Sequence, residues 1–536
     1  MTIGNINHLD CTLRDGGYYN SWNFSENLVQ DYLNVMSKSQ VNYVELGFRF
    51  LKVNGFYGPT AFTKESYINS FKVPSNINLA VMINGSDLLG TKKFVSDLIS
   101  NFFVKKKFSK IKLVRIACHF KEIDKVLVNA MKFKKLGYEV GINLMQISEE
   151  KDDSIERVIN KVSKFKPKVI YFADSVGSLT PERTEKIVKI AKKQWKGDIG
   201  FHTHDNLSLA MLNSLSAIRA GAKWIDTTVT GMGRGPGNTK TEYFLIERSK
   251  NNKNIKLNYI TNLITNYFSK LKLKYQWGTN SFYYLAGINK IHPTYIQEML
   301  NDNRYDNDQK LFIINNLKNN NSRFYNKNFF ENNSIFFSKK YNEKSTFLKK
   351  KLSNKNFLIL GNGMSVTKNK LYIEKYIKKY NPVVLSSNMK KNIDEKLIDF
   401  RLICNPYRII SEINEIKKNK KKIIMPKKLL EICGLKNSAN KIFNFDLNLG
   451  KKFNISKNSC TLSKPLVLFY ALAIVNNFSA KEIYCAGFDG EKDSENIIDA
   501  INKFLDKYNK NKKYSKLKSL TSSRYNLNPC PLYKKI

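Results

Sequence analysis

Residues 168–230 repeat one pattern. Lys168-Val169-Ile170-Tyr171-Phe172-Ala173 is a short apolar, β-branched run, and Thr180-Pro181-Glu182 opens an amphipathic stretch. Ile199-Gly200-Phe201-His202-Thr203 is a second apolar run, followed by an amphipathic stretch over 207–219 and a third run over 224–230. Thr180, Pro181 and Glu182 together supply a capping hydroxyl, a proline suited to the first helical position and a first-turn acid. The segment therefore reads strand, helix, strand, helix, strand. Working outward, runs of the same kind lie at 8–12, 43–48, 78–83, 111–117 and 138–145, with amphipathic stretches at 25–39, 121–136, 154–165 and 181–195. Residues 1 to about 250 thus hold eight strands roughly thirty residues apart, which predicts a (β/α)8 TIM barrel rather than a doubly wound sheet.

The polar residues collect where those strands would end. On such a barrel, residues just past a strand's C-terminal end face the catalytic mouth. The first strand runs into Asp10-Cys11-Thr12-Leu13-Arg14-Asp15-Gly16-Gly17. That places Arg14 as a cation for a substrate oxyanion and Asp15 as a carboxylate for a metal, although an isolated motif of this kind also fits a surface turn. The seventh run ends in His202-Thr203-His204-Asp205-Asn206. Side chains two apart on a strand point the same way, so both imidazoles face the barrel axis. Two histidines and one carboxylate make a divalent-metal site with positions open to substrate or water. The eighth run leads into Gly231-Met232-Gly233-Arg234-Gly235-Pro236-Gly237-Asn238-Thr239. This is either a plain flexible connection or a loop that presents Asn238 to the metal or substrate. Glu45, Arg115, Asn143 and Asp174 stand at other strand ends and read as substrate-binding residues.

Residues 251–300 read as mostly helical and 301–355 as an Asn- and Lys-rich linker. A second α/β domain, Rossmann-like, is expected over 356–536. It opens with Phe357-Leu358-Ile359-Leu360-Gly361-Asn362-Gly363-Met364-Ser365, a strand running into a Gly-x-Gly turn, and a helix over 370–380 follows. Further strands are expected at 383–386, 400–404, 422–425 and 482–486, with a helix over 466–476. Gly361, Gly363 and Ser365 fit a phosphate cradle at a helix N-terminus or a plain tight turn.

With 536 residues, 42% of them apolar, the chain is long enough for two to four domains with sizeable cores. The absence of a long apolar run argues against a transmembrane helix, and the N-terminal residues do not resemble a secretory signal. Seven scattered cysteines without a CxxC pair read as reduced thiols in a cytoplasmic protein, not as a disulfide framework or zinc site. The net charge of +45 comes from lysines spread over both halves, with none of the standard nucleic-acid-binding signatures. It reads as compositional drift, helped by anionic substrates, rather than as a nucleic-acid or membrane partner.

The Arg14–Gly17 element, the His202/His204 pair and the Gly231–Asn238 loop, in that order, resemble the DRE-TIM metallolyases (HMGL-like) over roughly residues 5–300. Within that superfamily the segment 277–295, with its His292-Pro293-Thr294-Tyr295 ending, is most similar to the 4-hydroxy-2-oxovalerate aldolase branch. The resemblance implies Asp15, His202 and His204 as metal ligands, Asn238 beside them, and Arg14 stabilising an enolate. It implies Mn2+ or Mg2+, less often Zn2+, and a 2-oxo acid and an aldehyde as small-molecule partners. The aldolase pattern has a histidine base three residues beyond the metal aspartate, where this chain has Tyr18. An ordinary phenol, with a pKa of about 10, is a poor base at neutral pH. Either Tyr18 is activated by the metal and Arg14, or the proton goes to His119 or to a tyrosine of 277–295. The expected activity is metal-dependent aldol cleavage of a 4-hydroxy-2-oxo acid, in surface-carbohydrate biosynthesis. The alternatives are a Claisen-type synthase joining an acyl-CoA to a 2-oxo acid, or a non-catalytic barrel scaffold. The second half, through Gly361–Ser365, Cys404-Asn405-Pro406, Gly487-Phe488-Asp489-Gly490 and Ser519-Leu520-Thr521, is similar to Rossmann-like sialyltransferase and motility-accessory domains. That likeness implies a nucleotide sugar contacted by the Gly361 loop and Asp489. A homo-oligomer is left open by the sequence.

Overall fold

The computed structural model describes all residues except 1, 2, 4, 5, 53, 54, 301–306, 320–351, 427, 428, 430–441, 451, 452 and 492–494. Eight parallel strands close into a barrel in sequence order. They are β1 (Asn7–Asp10), β2 (Tyr43–Phe48), β3 (Asn78–Asn84), β4 (Ile111–Cys118), β5 (Glu139–Met145), β6 (Val169–Ala173), β7 (Asp198–His202) and β8 (Trp224–Thr227). Closure is made by β1 on β8, with Asn7 opposite Trp224 and Asp10 opposite Thr227. The barrel expected from the repeat is therefore the fold of the first half.

Local chemistry sets the boundaries. Ser25 caps the helix Glu26–Lys38, its hydroxyl accepting from Leu28 N at 3.4 Å. Thr180 caps Pro181–Gln194 in the same way, accepting from Arg183 N at 3.3 Å. The helix expected over 207–219 starts only at Ala210, whose N–H is drawn to Asp205 Oδ1 at 3.1 Å. The strand expected over 224–230 ends at Thr227, because Thr230 adopts a left-handed backbone (φ 54°) in the following 3-10 turn, Val229–Gly231.

The barrel floor is filled by Leu9, Cys11, Tyr43, Ala80, Leu113, Val169, Tyr171 and Trp224, all buried. A larger apolar layer, including Val44, Val81, Ile116, Phe172 and Ile225, lies between strands and surrounding helices. Burial of this kind contributes roughly 25 cal/mol per Å2 of apolar surface, so the frame is rigid enough to hold polar groups above the floor.

The chain divides into two compact units, residues 1–297 with 317–325, and 298–316 with 326–536. Of the segment expected as a linker, Asn307–Asn319 is helical; residues 301–306 and 320–351 lie outside the described residues. The second unit contains an all-parallel sheet ordered β13-β12-β11-β10-β9-β17-β18-β19. Its strands are β9 (Asn356–Leu360), β10 (Val383–Ser387), β11 (Phe400–Leu402), β12 (Lys422–Met425), β13 (Ile442–Asn444), β17 (Glu482–Ala486), β18 (Leu517–Ser519) and β19 (Asn528–Pro529). A small sheet adds β14 (Asp446–Leu449), β15 (Asn454–Ser456) and β16 (Ser459–Leu462). No helix among the described residues is long and apolar enough to cross a membrane.

Candidate metal centre

The end of β1 is shaped by Asp10. Its Oδ1 accepts from Thr12 N at 2.9 Å, Thr12 Oγ1 at 2.5 Å and Tyr32 Oη at 2.5 Å, while Oδ2 accepts from the Thr241 hydroxyl. This aspartate turn stops the strand two residues short of the expected 8–12 and starts the short helix Thr12–Asp15, which carries Arg14 and Asp15. Beyond β7, the Thr203 hydroxyl bonds Thr239 Oγ1 at 2.7 Å and Ser214 Oγ at 3.2 Å, away from the barrel axis. The flanking His202 and His204 therefore share the opposite face.

The loop after β8 folds back on that face. Asp205 N donates to Gly237 O at 2.9 Å, and Asn238 Nδ2 donates to Thr203 O at 3.3 Å and to His202 Nε2 at 3.0 Å. Gly233 is required by close approach: a Cβ there would sit 1.8 Å from Asn238 Oδ1 and 2.9 Å from Asp15 Oδ2.

Asp15, His202 and His204 each offer a ligand atom within 4.8 Å of the others, and all three are buried. They belong to a ring of charges. Asp15 Oδ1 accepts from Arg14 Nη1 at 2.8 Å, and Arg14 Nε donates to Glu45 Oε2 at 2.8 Å. Glu45 Oε2 lies 3.2 Å from Arg115 Nη1, and Arg115 Nη2 donates to Asp226 Oδ2 at 2.5 Å. Asp226 Oδ2 meets His202 Nδ1 at 3.0 Å, and His202 Nε2 returns to Asp15 Oδ2 at 3.6 Å. Arg115 also donates from Nε to Asn143 Oδ1 at 3.3 Å and lies 4.1 Å above the Tyr171 ring.

Burial pushes the Asp15 carboxyl up, but Arg14, assisted by His202, His204 and Arg234, outweighs it and holds the group below the ordinary carboxylate range. Asp226 is likewise desolvated yet held low by Arg115 and His202. Burial keeps His204 well below the usual imidazole value, hence neutral and able to donate a lone pair.

These residues fit a divalent cation. Asp226 fixes the His202 ring through Nδ1, and a cation entering beside Asp15 would take Nε2 in place of its hydrogen bond from Asn238 Nδ2. Asp15 Oδ2, His204 Nδ1 and Asn238 Oδ1 are all buried without a hydrogen-bond partner. Such orphaned polar atoms are costly in a protein interior unless something else satisfies them. A second group, Cys11, His202 and Asp226, shares one histidine. Its thiol is pushed well up by burial, and the His202 nitrogen it would use is engaged by Asp226.

The other expected residues sort themselves by contact. Glu45, Arg115 and Asn143 all join the ring. Asp174 does not: its carboxylate turns back to accept backbone N–H groups of Gly177 (3.0 Å), Ser178 (3.1 Å) and Leu179 (3.0 Å). It fixes its own loop instead of joining the ring. Burial raises its pKa to about 6 against those hydrogen bonds. Tyr18 is 39% exposed, edge-on to Trp22 (4.9 Å) and under Arg234 (5.6 Å). Desolvation raises its pKa although Arg234 opposes the rise, so the phenol stays protonated at neutral pH. The His119 ring takes part in a capping box with Glu122, and burial lowers its pKa.

Three residues were not anticipated. Asp226, the fixed partner of His202, stands in the run Trp224–Thr227, where a charge two residues from Trp224 on the same strand face was the available signal. Arg234 and His292 have no comparable local signal. Burial first, then the charges of Arg234, His204 and His119, hold His292 well below the usual imidazole value, so these groups share one region.

In the second unit the strand order reverses between β9 and β17, where open α/β sheets commonly bind ligands. Gly361, Gly363, Ser365 and Asp489 do meet there. Asp489 Oδ2 accepts from Ser365 N at 2.8 Å and Oδ1 from the Ser365 hydroxyl. A Cβ on Gly363 would sit 2.4 Å from that carboxylate. Asp489 thus caps Ser365 N at a helix N-terminus where the sequence left open a phosphate cradle or a plain tight turn.

Residues 5–265 match the family model described as HMGL-like. A 4-hydroxy-2-oxovalerate aldolase of Geobacillus thermodenitrificans is 38% identical over 133 residues, 25% of this chain and 39% of that protein. An oxaloacetate decarboxylase of Mycobacterium tuberculosis is 26% identical over 237 residues, 44% of this chain and 67% of that protein. The solved N-terminal domain of a candidate aldolase from Bacteroides vulgatus is 33% identical, covering 55% of this chain and 96% of that one, with a TM-score of 0.49. The matched stretch thus spans well under half of the curated aldolase's length.

Proposed function

The barrel at residues 5–265 belongs to the HMGL-like family, and on that premise we propose that the chain is a divalent-metal-dependent carbon–carbon lyase cleaving 4-hydroxy-2-oxo acids. The observation that carries this reading is the convergence of buried Asp15, His202 and His204 with atoms left unpartnered beside Arg14. A divalent cation held by these three residues, with Asn238 beside them, supplies electrophilic polarisation to a neighbouring carbonyl oxygen.

The chain's own groups do the rest. Arg14 is fixed through Nε and Nη1, so its remaining nitrogen, Nη2, serves a developing oxyanion without reorganising. Neutral His119, once its ring gives up the Glu122 N–H that it caps, accepts the proton of the substrate's 4-hydroxyl. The C3–C4 bond then breaks, its electron pair passes into the enolate of pyruvate, and the former C4 leaves as an aldehyde. Protonated Tyr18 donates a hydrogen bond at the mouth and holds the hydroxyl-bearing end. Protonation of C3 completes the balance.

The test is a panel of 4-hydroxy-2-oxo acids and acyl-CoA/2-oxo acid pairs, scored for pyruvate or free CoA release with Mn2+, Mg2+ or Zn2+ and after chelation. Chelator-sensitive pyruvate release, lost in D15N and H202Q, is expected. CoA release instead would favour a Claisen-type synthase, and neither product with a metal-loaded protein would refute the lyase reading.

A further inference from the structure

Among the described residues three guanidiniums come close to this site, and two of them are neutralised. Arg14 faces Asp15 and Glu45, and Arg115 faces Glu45 and Asp226. Arg234 forms no ion pair with any carboxylate among the described residues, and its Nε is buried without an acceptor. Its position is nevertheless set. The loop that carries it is pinned by Gly237 N to Arg234 O at 3.3 Å, Asn238 N to Gly231 O at 3.4 Å, and Gly278 N to Gly235 O at 3.4 Å. The guanidinium stands 5.6 Å from the Tyr18 ring centroid, and Asp15, His204 and His292 all feel its charge. A Cβ on the adjacent Gly233 would sit 2.9 Å from Asp15 Oδ2, so Arg234 borders the metal centre on the side of Tyr18.

The charge balance says what is missing. Three carboxylates in the ring face two guanidiniums, leaving one negative charge. A divalent cation and the single carboxylate of a 2-oxo acid bring that group to neutrality. The positive charge of Arg234 is then left over, because a cation–π contact with Tyr18 attracts it but does not neutralise it.

We propose that Arg234 recognises a second anionic group, a carboxylate or a phosphate, on the aldehyde half of the substrate. The inference rests on the aldolase reading above. In the synthetic direction, C3 of pyruvate loses a proton and bonds to the aldehyde carbon, whose oxygen gains a proton. The anionic group passes through unchanged and serves only recognition. A site built around a charged donor discriminates against a partner that leaves it unpaired.

The experiment uses full-length, Mn2+-loaded protein. Condensation of pyruvate is compared for butanal, succinic semialdehyde and glyceraldehyde 3-phosphate, in wild type, R234Q and R234K. Anionic aldehydes should be preferred, and R234Q should lower their kcat/KM by about 10- to 100-fold relative to that of butanal, mainly through KM. R234K should recover part of the loss. The better of the two anionic aldehydes identifies carboxylate or phosphate as the recognised group. Equal use of butanal, or an equal loss for all three in R234Q, would overturn the inference.

Binding gives a reading independent of turnover. Calorimetry should show a 2-oxo dicarboxylate (oxaloacetate, 2-oxoglutarate or 2-oxoadipate) binding more tightly than pyruvate, with the advantage abolished in R234Q. If no aldehyde is condensed but this advantage is present, the aldolase reading fails and Arg234 recognition stands. If all four acids bind alike, the recognition fails whatever the turnover.

Discussion

Replacing Asp226 by asparagine separates the two duties of one carboxylate. Asp226 is 1% exposed and holds both Arg115 Nη2, at 2.5 Å, and His202 Nδ1, at 3.0 Å. Removing one member of a buried ion pair costs about 3–5 kcal/mol when the remaining charge is stranded. In D226N, Arg115 keeps Glu45 at 3.2 Å and an amide oxygen of the same shape, so a smaller loss, about 2–3 kcal/mol, is expected. The second effect falls on the cation. Losing the carboxylate that orients a metal-binding histidine typically weakens metal affinity about 10- to 100-fold. The asparagine NH2 can moreover donate to Nδ1, which moves the ring proton to Nε2 and masks the lone pair facing Asp15. Urea unfolding of the chelated protein measures the first effect; calorimetric titration with Mn2+ measures the second. D226N with a wild-type Mn2+ affinity would refute the orienting role, even if the stability loss were as expected.

Other perturbations test other parts. A Cβ at residue 233 collides with Asn238 Oδ1 and Asp15 Oδ2, so G233A should lower Mn2+ affinity at least tenfold by calorimetry while leaving the far-ultraviolet circular dichroism of the barrel intact. Asp174 has a folded pKa raised to about 6, so between that value and its unfolded value, near 4, the native state binds the extra proton. Its contribution to stability is therefore greatest in acid and is lost as pH rises through about 6, by about 3 kcal/mol. D174N should flatten that part of a urea-unfolding series across pH 4–7, and an unchanged slope would remove Asp174 as its source. D489A strips the cap from Ser365 and should destabilise the second unit by about 1–2 kcal/mol in urea unfolding. An unaltered urea midpoint would show that Asp489 is not needed as the cap.

What the sequence disclosed and what it hid follow one physical division. The barrel was legible because buried parallel strands read as short apolar runs and their helices as amphipathic stretches, both properties of residues close in the chain. The pairing of His202 and His204 was legible for the same reason: two residues apart on a strand is a local geometry. Strand-end position, by contrast, locates a Cα and leaves the side chain undetermined. Glu45 and Asp174 both follow from that logic, yet Glu45 reaches across to Arg14 and Arg115, whereas Asp174 finds three amide N–H groups within its own next five residues. Aspartate competes for nearby backbone donors whenever the turn offers them. The same competition, between residues 124 apart in sequence, put Asp489 on Ser365 N. Long-range closure also explains Asp226 and Arg234. The importance of Asp226 depends on His202 and Arg115, from two other strands. That of Arg234 depends on Asp15 already being paired with Arg14, a property no single segment encodes. A metal-ligand triad is therefore easier to read from a sequence than the groups that decide which substrate it meets. Tyr18 and Arg234 stand together at that less legible edge of the site, a protonated phenol and an unpaired cation beside a conventional donor set.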